Sequence, residues 1–316
     1  MNKKKLFILL VFVILIIISA LIGFNFFFNK NNSLSTTKTN YTTQEKKFIE
    51  LGYTKDELIY INKLSDENIK KLETKDYLNL ENYYTINNFN VDNYERYELY
   101  KKNKNNSFNY KDIVTMVNIG LDNNFYINTA PALNQDKLTV LVNKYYYLDK
   151  DYVPQNLVEL FDTNRGAKMV DIAAAHYKEL ILAAKEDNIT LESTTAYRSY
   201  DFQNTLYTNY VKEDGKEEAD TYSARPGFSE HQTGLAVDLN NPNVQNKRLS
   251  DEDHKWIENN AHKYGFILRY KKEFIPITGY MEENWHIRYV GKDIAKKIYE
   301  LNISYEEYFD LYLTEY

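Results

Sequence analysis

Two short stretches of the chain gather side chains that hold metal ions: Ser229-Glu230-His231-Gln232-Thr233-Gly234-Leu235-Ala236-Val237-Asp238 and Glu283-Asn284-Trp285-His286. His231, Asp238 and His286 are three nitrogen and oxygen donors of the kind Zn2+ takes at a catalytic site, where a further position is left to water. Glu283, three residues before His286, is a spare carboxylate placed to act on that water. The chain has only five histidines, so finding two of them in such settings carries weight. The chemistry predicted is hydrolysis. Zinc lowers the pKa of its water from about 16 towards about 7 and polarises a carbonyl oxygen. A carboxylate that is not a ligand takes the proton and later delivers it to the leaving amine. The oxyanion needs a cation as well as the metal, and Arg198, in Ala196-Tyr197-Arg198-Ser199-Tyr200, is the candidate.

Taken singly, each residue has an ordinary explanation. A histidine near a glycine is usually exposed or satisfied in a core, an aspartate in a strand pairs with a lysine, and Glu-Asn-Trp-His makes an unremarkable strand entry. Together they all flank plausible neighbouring strands, which favours the metal site. His176, His254 and His262 fall within predicted helices without such a context and read as structural or exposed.

The hydrophobic pattern supplies the elements that must position these groups. Gly234 permits a sharp bend, after which Leu235, Val237 and Leu239 alternate with Ala236 and Asp238, a half-buried strand. Asp238 then shares a face with the small Ala236, leaving room for metal and substrate. Trp285 to Val290 reads as a second strand, with His286 and Arg288 on one face and Trp285, Ile287 and Tyr289 packed opposite. If the two strands are neighbours, Asp238 and His286 converge, and His231 reaches the same point from the loop before Gly234. Strict alternation puts Glu283 on the wrong face, so a turn or bulge at Asn284 must re-aim it.

Elsewhere, Thr139-Val140-Leu141-Val142-Asn143 predicts a strand. Lys168 to Glu186 predicts an amphipathic helix with Val170, Ala173, Ala174, Tyr177, Ile181 and Ala184 on one face. Leu191 to Tyr197 is β-like and ends at Arg198. Lys212 to Asp220, with Arg225, reads as a polar loop near the cleft. Ser250-Asp251-Glu252-Asp253 caps a helix that stops at Gly265, and Ser304 with Glu307 caps a final tyrosine-rich helix. Strands and helices interleave without repeated βαβ glycine signals, which predicts an α+β fold rather than a doubly wound sheet. Upstream, residues 44–110 are helical and polar. Thr54 with Glu57 forms a capping box, Ser65 opens another short helix, and tyrosines such as Tyr53, Tyr60, Tyr77, Tyr83 and Tyr84 read as packing rather than as a ligand surface.

The chain begins Met1-Asn2-Lys3-Lys4-Lys5 and runs uncharged and almost wholly apolar from Leu6 to Phe28. Roughly 20 apolar residues span a bilayer as a helix, and the preceding lysines put the N-terminus in the cytoplasm. The alternative is a signal peptide cleaved near Ser19-Ala20, but the apolar run exceeds the usual h-region. The expected organisation is a transmembrane signal anchor over 1–28, a solvated linker over 29–43, a helical module and connector over 44–137, and the metal domain over 138–316. With Lys3, Lys4 and Lys5 inside, the net charge of −6 becomes −9 outside, which argues against nucleic acid as a partner. The chain has no cysteine, which excludes disulfides and a thiol nucleophile.

The series Tyr197-Arg198-Ser199 with Gln203, Ser229-x-His231-x-x-Gly234-x-Ala236-x-Asp238, Gly265-Phe266 with Arg269-Tyr270, and Glu283-x-Trp285-His286-x-Arg288-Tyr289-Val290 resembles the VanY family of zinc D-alanyl-D-alanine carboxypeptidases. Its order and spacing also resemble the related LD-carboxypeptidases. Leu141-Val142-Asn143-Lys144 leading to Tyr152-Val153-Pro154 is similar to the family's entry into its domain. The resemblance covers about 138–316. It implies the α+β Hedgehog/DD-peptidase fold, an antiparallel sheet with flanking helices, and one zinc ion per chain on His231, Asp238 and His286. It further implies Glu283 as general base, Arg198 as stabiliser of the tetrahedral intermediate, and Ser229, Gln203 and Tyr270 as contacts to the peptide or its terminal carboxylate. Asn284 departs from the family, where proline is usual; asparagine also holds a turn.

The expected function is removal of the terminal D-alanine from peptidoglycan stem peptides by a single-pass protein of a Gram-positive-type cell membrane, its C-terminal domain outside. The rival readings are an LD-carboxypeptidase acting on tetrapeptides and a non-catalytic wall-binding or sensor domain.

Overall fold

The computed structural model describes residues 41–74, 77, 80–162 and 166–314. The apolar run from Leu6 to Phe28 lies outside the described residues. Among those described, no helix is long and apolar enough to cross a membrane. The chain divides after Lys75 into two compact units.

The first unit carries helices α1 (Thr43–Glu50), α2 (Lys55–Ile61) and α3 (Asp66–Thr74). Thr42 with Glu45 and Thr54 with Glu57 form reciprocal capping boxes, satisfying N–H groups that each short helix leaves unpaired. Phe48, Leu58, Ile61, Ile69 and Leu72 are buried.

The second unit opens with α4 (Tyr94–Asn103) and α5 (Tyr110–Asn118). Tyr83 is fully buried there among Phe89, Tyr94, Tyr97 and Tyr110, the packing use expected of these rings. Two small ladders follow. β1 (Ala130–Pro131) pairs with β2 (Tyr146–Tyr147), and β3 (Leu157–Glu159) with β4 (Lys168–Val170). Thr139–Asn143 is not a strand, despite its β-branched residues. The carbonyls of Leu138 and Val140 accept from the Arg288 guanidinium instead, and Asn143 Oδ1 accepts the N–H groups of Tyr145 and Tyr146, turning the chain. The helix predicted from Lys168 starts later, as α6 (Asp171–Glu186), because Lys168–Val170 is used for the ladder with β3.

The main sheet is antiparallel in the order β5-β6-β8-β7, with β5 at Glu192–Thr195, β6 at Ala236–Asn240, β7 at Phe266–Tyr270 and β8 at Glu283–Tyr289. Between β5 and β6 lie α7 (Tyr200–Asp214) and α8 (Lys216–Tyr222). The charged segment 212–220 is therefore helical rather than a loop. Only Gly215 interrupts it, at φ +85°, a conformation that side chains with a Cβ rarely adopt. Helix α9 (Asp251–Asn260) is capped by Ser250 as predicted, and the chain leaves the following turn at Gly265. The short α10 (Ile275–Thr278) precedes β8; α11 (Lys292–Leu301) and α12 (Tyr305–Tyr312), the latter capped by Ser304 and Glu307, end the unit.

One face of the sheet buries Val237, Leu239, Phe266, Ile287 and Tyr289 against Tyr177, Leu180 and Ala184 of α6. The other face carries Asp238, His286, Arg288 and Arg269, all buried. Period-2 alternation thus sorts apolar residues to a core and polar residues to a site.

Candidate metal centre

β6 and β8 pair with Asp238 directly opposite His286, the neighbour relation the sequence required. Asp238 Oδ1 lies 3.1 Å from His286 Nδ1. His231 sits in a 3-10 turn, Glu230–Thr233, whose N-cap Ser229 accepts the His231 N–H. Gly234 ends that turn in the left-handed conformation, and a Cβ there would press on Leu157, Pro154 and Val170 at 3.0–3.1 Å. His231 Nδ1 donates to the Ala196 carbonyl at 2.6 Å, leaving Nε2 facing Asp238 Oδ1 at 3.3 Å. The donor atoms of His231, Asp238 and His286 lie within 4.8 Å of one another, and all three residues are buried. Two imidazoles and one carboxylate suit Zn2+; Ca2+ and Mg2+ take oxygen-rich shells that these residues do not offer. The donor set fits a zinc ion.

Glu283 reaches the same point through the irregularity that alternation demanded. On β7, Leu268 pairs with Ile287 and Tyr270 with Glu283, so Asn284, Trp285 and His286 all lie opposite Arg269 alone. This bulge turns the Glu283 carboxylate to within 3.8 Å of His286 Nδ1. It also expels Trp285, which is 39% exposed rather than packed with Ile287 and Tyr289.

Burial pushes Glu283 up to about 7, outweighing the nearby His286 and Arg198 charges that favour its ionised form. Burial, aided by the nearby Arg198 charge, holds His231 down to about 4, neutral and able to donate a lone pair. For His286 burial acts in the same direction, but the hydrogen bonds with Asp238 and Glu230 outweigh it and lift the ring to about 9. Burial opposes ionisation of Asp238, yet His231, His286 and Arg198 together keep it well below the usual carboxylate range.

Arg198 lies beside this cluster, its Nη2 2.6 Å from Asp238 Oδ2 and its Nε 3.2 Å from Thr195 Oγ1. Gln203 donates to the Ala224 carbonyl at 2.8 Å, while its buried Oε1 has no partner among the described residues. The Tyr270 ring stands 4.9 Å from that of His286. All eight residues predicted for the site line one cavity of about 370 Å³.

Sequence reasoning gave no role to three buried residues around it. Glu230 accepts from Arg269 Nε at 2.9 Å and from Arg288 Nη1 at 3.0 Å, and Arg269 also pairs with Glu306 at 2.6 Å. The available signal was an arginine set among core residues of each strand, Arg269 after Phe266-Ile267-Leu268 and Arg288 between Ile287 and Tyr289. A charge so placed requires a buried counter-charge.

The family described as VanY, D-alanyl-D-alanine carboxypeptidase, matches residues 166–292. The Bacillus subtilis protein YodJ is 40% identical over 187 residues, covering 56% of this chain and 68% of that protein. The structure of the LdcB LD-carboxypeptidase superposes with a TM-score of 0.54 at 37% identity, covering 58% of this chain and 91% of that one. The structure of VanYB in complex with D-alanine-D-alanine gives 0.50 at 32% identity, covering 55% and 98%. These likenesses fall on the half of the chain that builds the cavity, and the chain belongs to the VanY family of D-alanyl-D-alanine carboxypeptidases.

Proposed function

We propose that this protein is a zinc-dependent carboxypeptidase that removes the C-terminal D-alanine from peptidoglycan stem peptides. The observation that carries the reading is the convergence of His231, Asp238 and His286 with a second carboxylate, Glu283, beside them in one cavity. His231 through Nε2, Asp238 and His286 would hold the metal. When bound, zinc supplies Lewis acidity, acidifying water and polarising a carbonyl.

The chain's own groups account for the proton movements. Glu283, poised near neutrality by burial, accepts a proton as water's oxygen adds to the scissile carbonyl carbon. As the C–N bond breaks, Glu283 returns that proton to the departing D-alanine amine. Arg198 places a fixed positive charge beside the developing oxyanion. The unpaired Gln203 Oε1 accepts a substrate N–H, and Ser229 and Tyr270 border the bound peptide.

The organisation we favour keeps the Leu6–Phe28 run as an uncleaved anchor, followed by a linker, the helical module 44–137 and the peptidase domain 138–316 outside the membrane. A tethered enzyme would then face the cell wall. A second reading, LD-carboxypeptidase action on tetrapeptides, is favoured by the likeness to LdcB. Mass spectrometry of stem pentapeptide and tetrapeptide after incubation with the purified protein separates the two. Loss of one D-alanine from the pentapeptide is expected. Cleavage of the tetrapeptide alone would establish the LD reading, and zinc binding with neither product would leave a sensor domain.

A further inference from the structure

We infer that Glu230 is a positioning residue that decides which nitrogen of His286 faces the metal. The inference rests on the zinc reading above and goes beyond its ligand set. The two oxygens of Glu230 are divided between tasks. Oε1 accepts from Arg269 Nε at 2.9 Å and Arg288 Nη1 at 3.0 Å; Oε2 lies 3.3 Å from His286 Nε2. Both guanidiniums and the Glu230 side chain are fully buried, so this arrangement does not exchange with water. Ionised carboxylates, which only accept hydrogen bonds, face both ring nitrogens, Asp238 at Nδ1 and Glu230 at Nε2. A metal shared by Asp238 and His286 would take the place of the Nδ1 proton, and the proton that remains is the one Glu230 holds on Nε2. The lone pair is then on Nδ1, the atom that faces Asp238 Oδ1 at 3.1 Å and Glu283 Oε2 at 3.8 Å. His231 is oriented by a different device with the same effect, the Ala196 carbonyl holding its Nδ1 proton. Each imidazole thus has one nitrogen committed to a fixed acceptor and the other turned to the ion.

The substitution Glu230→Gln tests this with little change of shape. The arginine pair requires an oxygen where Oε1 stands, so the new amide must turn its NH2 towards His286 Nε2. That nitrogen then becomes the acceptor, and the ring proton moves to Nδ1, where it blocks the metal. Glu306→Gln is the control, because it alters the same buried charge network at Arg269 without touching His286.

The experiment measures zinc affinity of the full chain by competition with a chelator. Alongside it, long-range 1H–15N NMR of the zinc-loaded wild type identifies the protonated nitrogen of His286. Zinc affinity is expected to fall about 10- to 100-fold in Glu230→Gln and to stay unchanged in Glu306→Gln, with Nε2 protonated in the wild type. Unchanged affinity in Glu230→Gln, an equal loss in Glu306→Gln, or a wild-type His286 protonated on Nδ1 would each overturn the assignment. The NMR result on the wild type decides the matter even if a variant does not fold. Failure of the wild type to bind zinc would instead count against the proposed function itself.

Discussion

Glu230 and Glu283 stand at the two nitrogens of His286, one against Nε2 and the other near Nδ1. Glu230 is fully buried and Glu283 mostly so, its side chain 12% exposed, yet the loss of water leaves them with opposite character. Two guanidiniums outweigh the loss of water at Glu230 and hold it well below the usual carboxylate range. Glu283 makes no ion pair with an arginine among the described residues, the more distant Arg198 charge does not offset its loss of water, and it is pushed up to about 7. The difference lies in what the surrounding strands deliver. Arg269 on β7 and Arg288 on β8 both point at Glu230, while the bulge that brings Glu283 inward places no arginine against it. Depth in the protein does not decide whether a carboxylate holds a neighbour in place or exchanges protons; its counter-charges do.

The largest effect should come from unclamping Glu230. Arg269→Met leaves two buried carboxylates, Glu230 and Glu306, short of positive charge, and is expected to cost about 3–5 kcal/mol in denaturant unfolding. A loss under about 1 kcal/mol would mean that the clamp is not what separates the two acids. Next, Arg198→Met should lower kcat by about 10²- to 10³-fold while zinc content holds, because its charge is assigned to the oxyanion rather than to the metal. Loss of zinc in that variant would shift Arg198 from that role to support of Asp238, which it contacts at 2.6 Å.

The same contest between burial and partners extends to groups outside the metal cluster. Burial lowers Lys144 to about 8, so between there and its ordinary pKa the unfolded chain binds more protons and stability rises with pH. Buried phenols act the other way. Tyr97 and Tyr152 are raised to about 12 and Tyr177 well above its usual value, so the stability they contribute is complete below about pH 10 and is lost as pH climbs through the raised values. Unfolding measured from pH 8 to 12 should therefore show a shallow rise and then a decline; a flat profile would contradict it. Smallest of these is Tyr177→Phe. It removes the donor to Asp162 Oδ2 at 2.6 Å, at a cost of about 1.5 kcal/mol in thermal or chemical unfolding.

The candidate metal cluster is the most legible part of the site, because alternation places two of its three residues once their strands pair, and the turn before Gly234 brings His231 to them. Asp238 and His286 fall on the polar faces of two strands, and pairing those strands brings them together. Glu283 was legible as a conflict, since alternation forbade its position and so required the bulge that is found. The arginine clamp was not legible. Glu230, Arg269 and Arg288 come from a turn and two strands, and nothing local to any of them names the others as partners. Thr139–Asn143 failed for a related reason. Val140, Leu141 and Val142 are buried, but a distant arginine takes the Val140 carbonyl and that of Leu138 just before the segment. Segment 212–220 was misread because its charges suit a solvated helix face as readily as a loop.

The division of labour between the two acids is tested most directly at Glu283, by measuring zinc content and D-alanine release on the same preparation of Glu283→Ala. The protein should retain about one zinc per chain while release from a stem pentapeptide falls by about 10²- to 10⁴-fold. Release at the wild-type rate from the zinc-loaded variant would contradict the account, because the proton would then be passing through some other group.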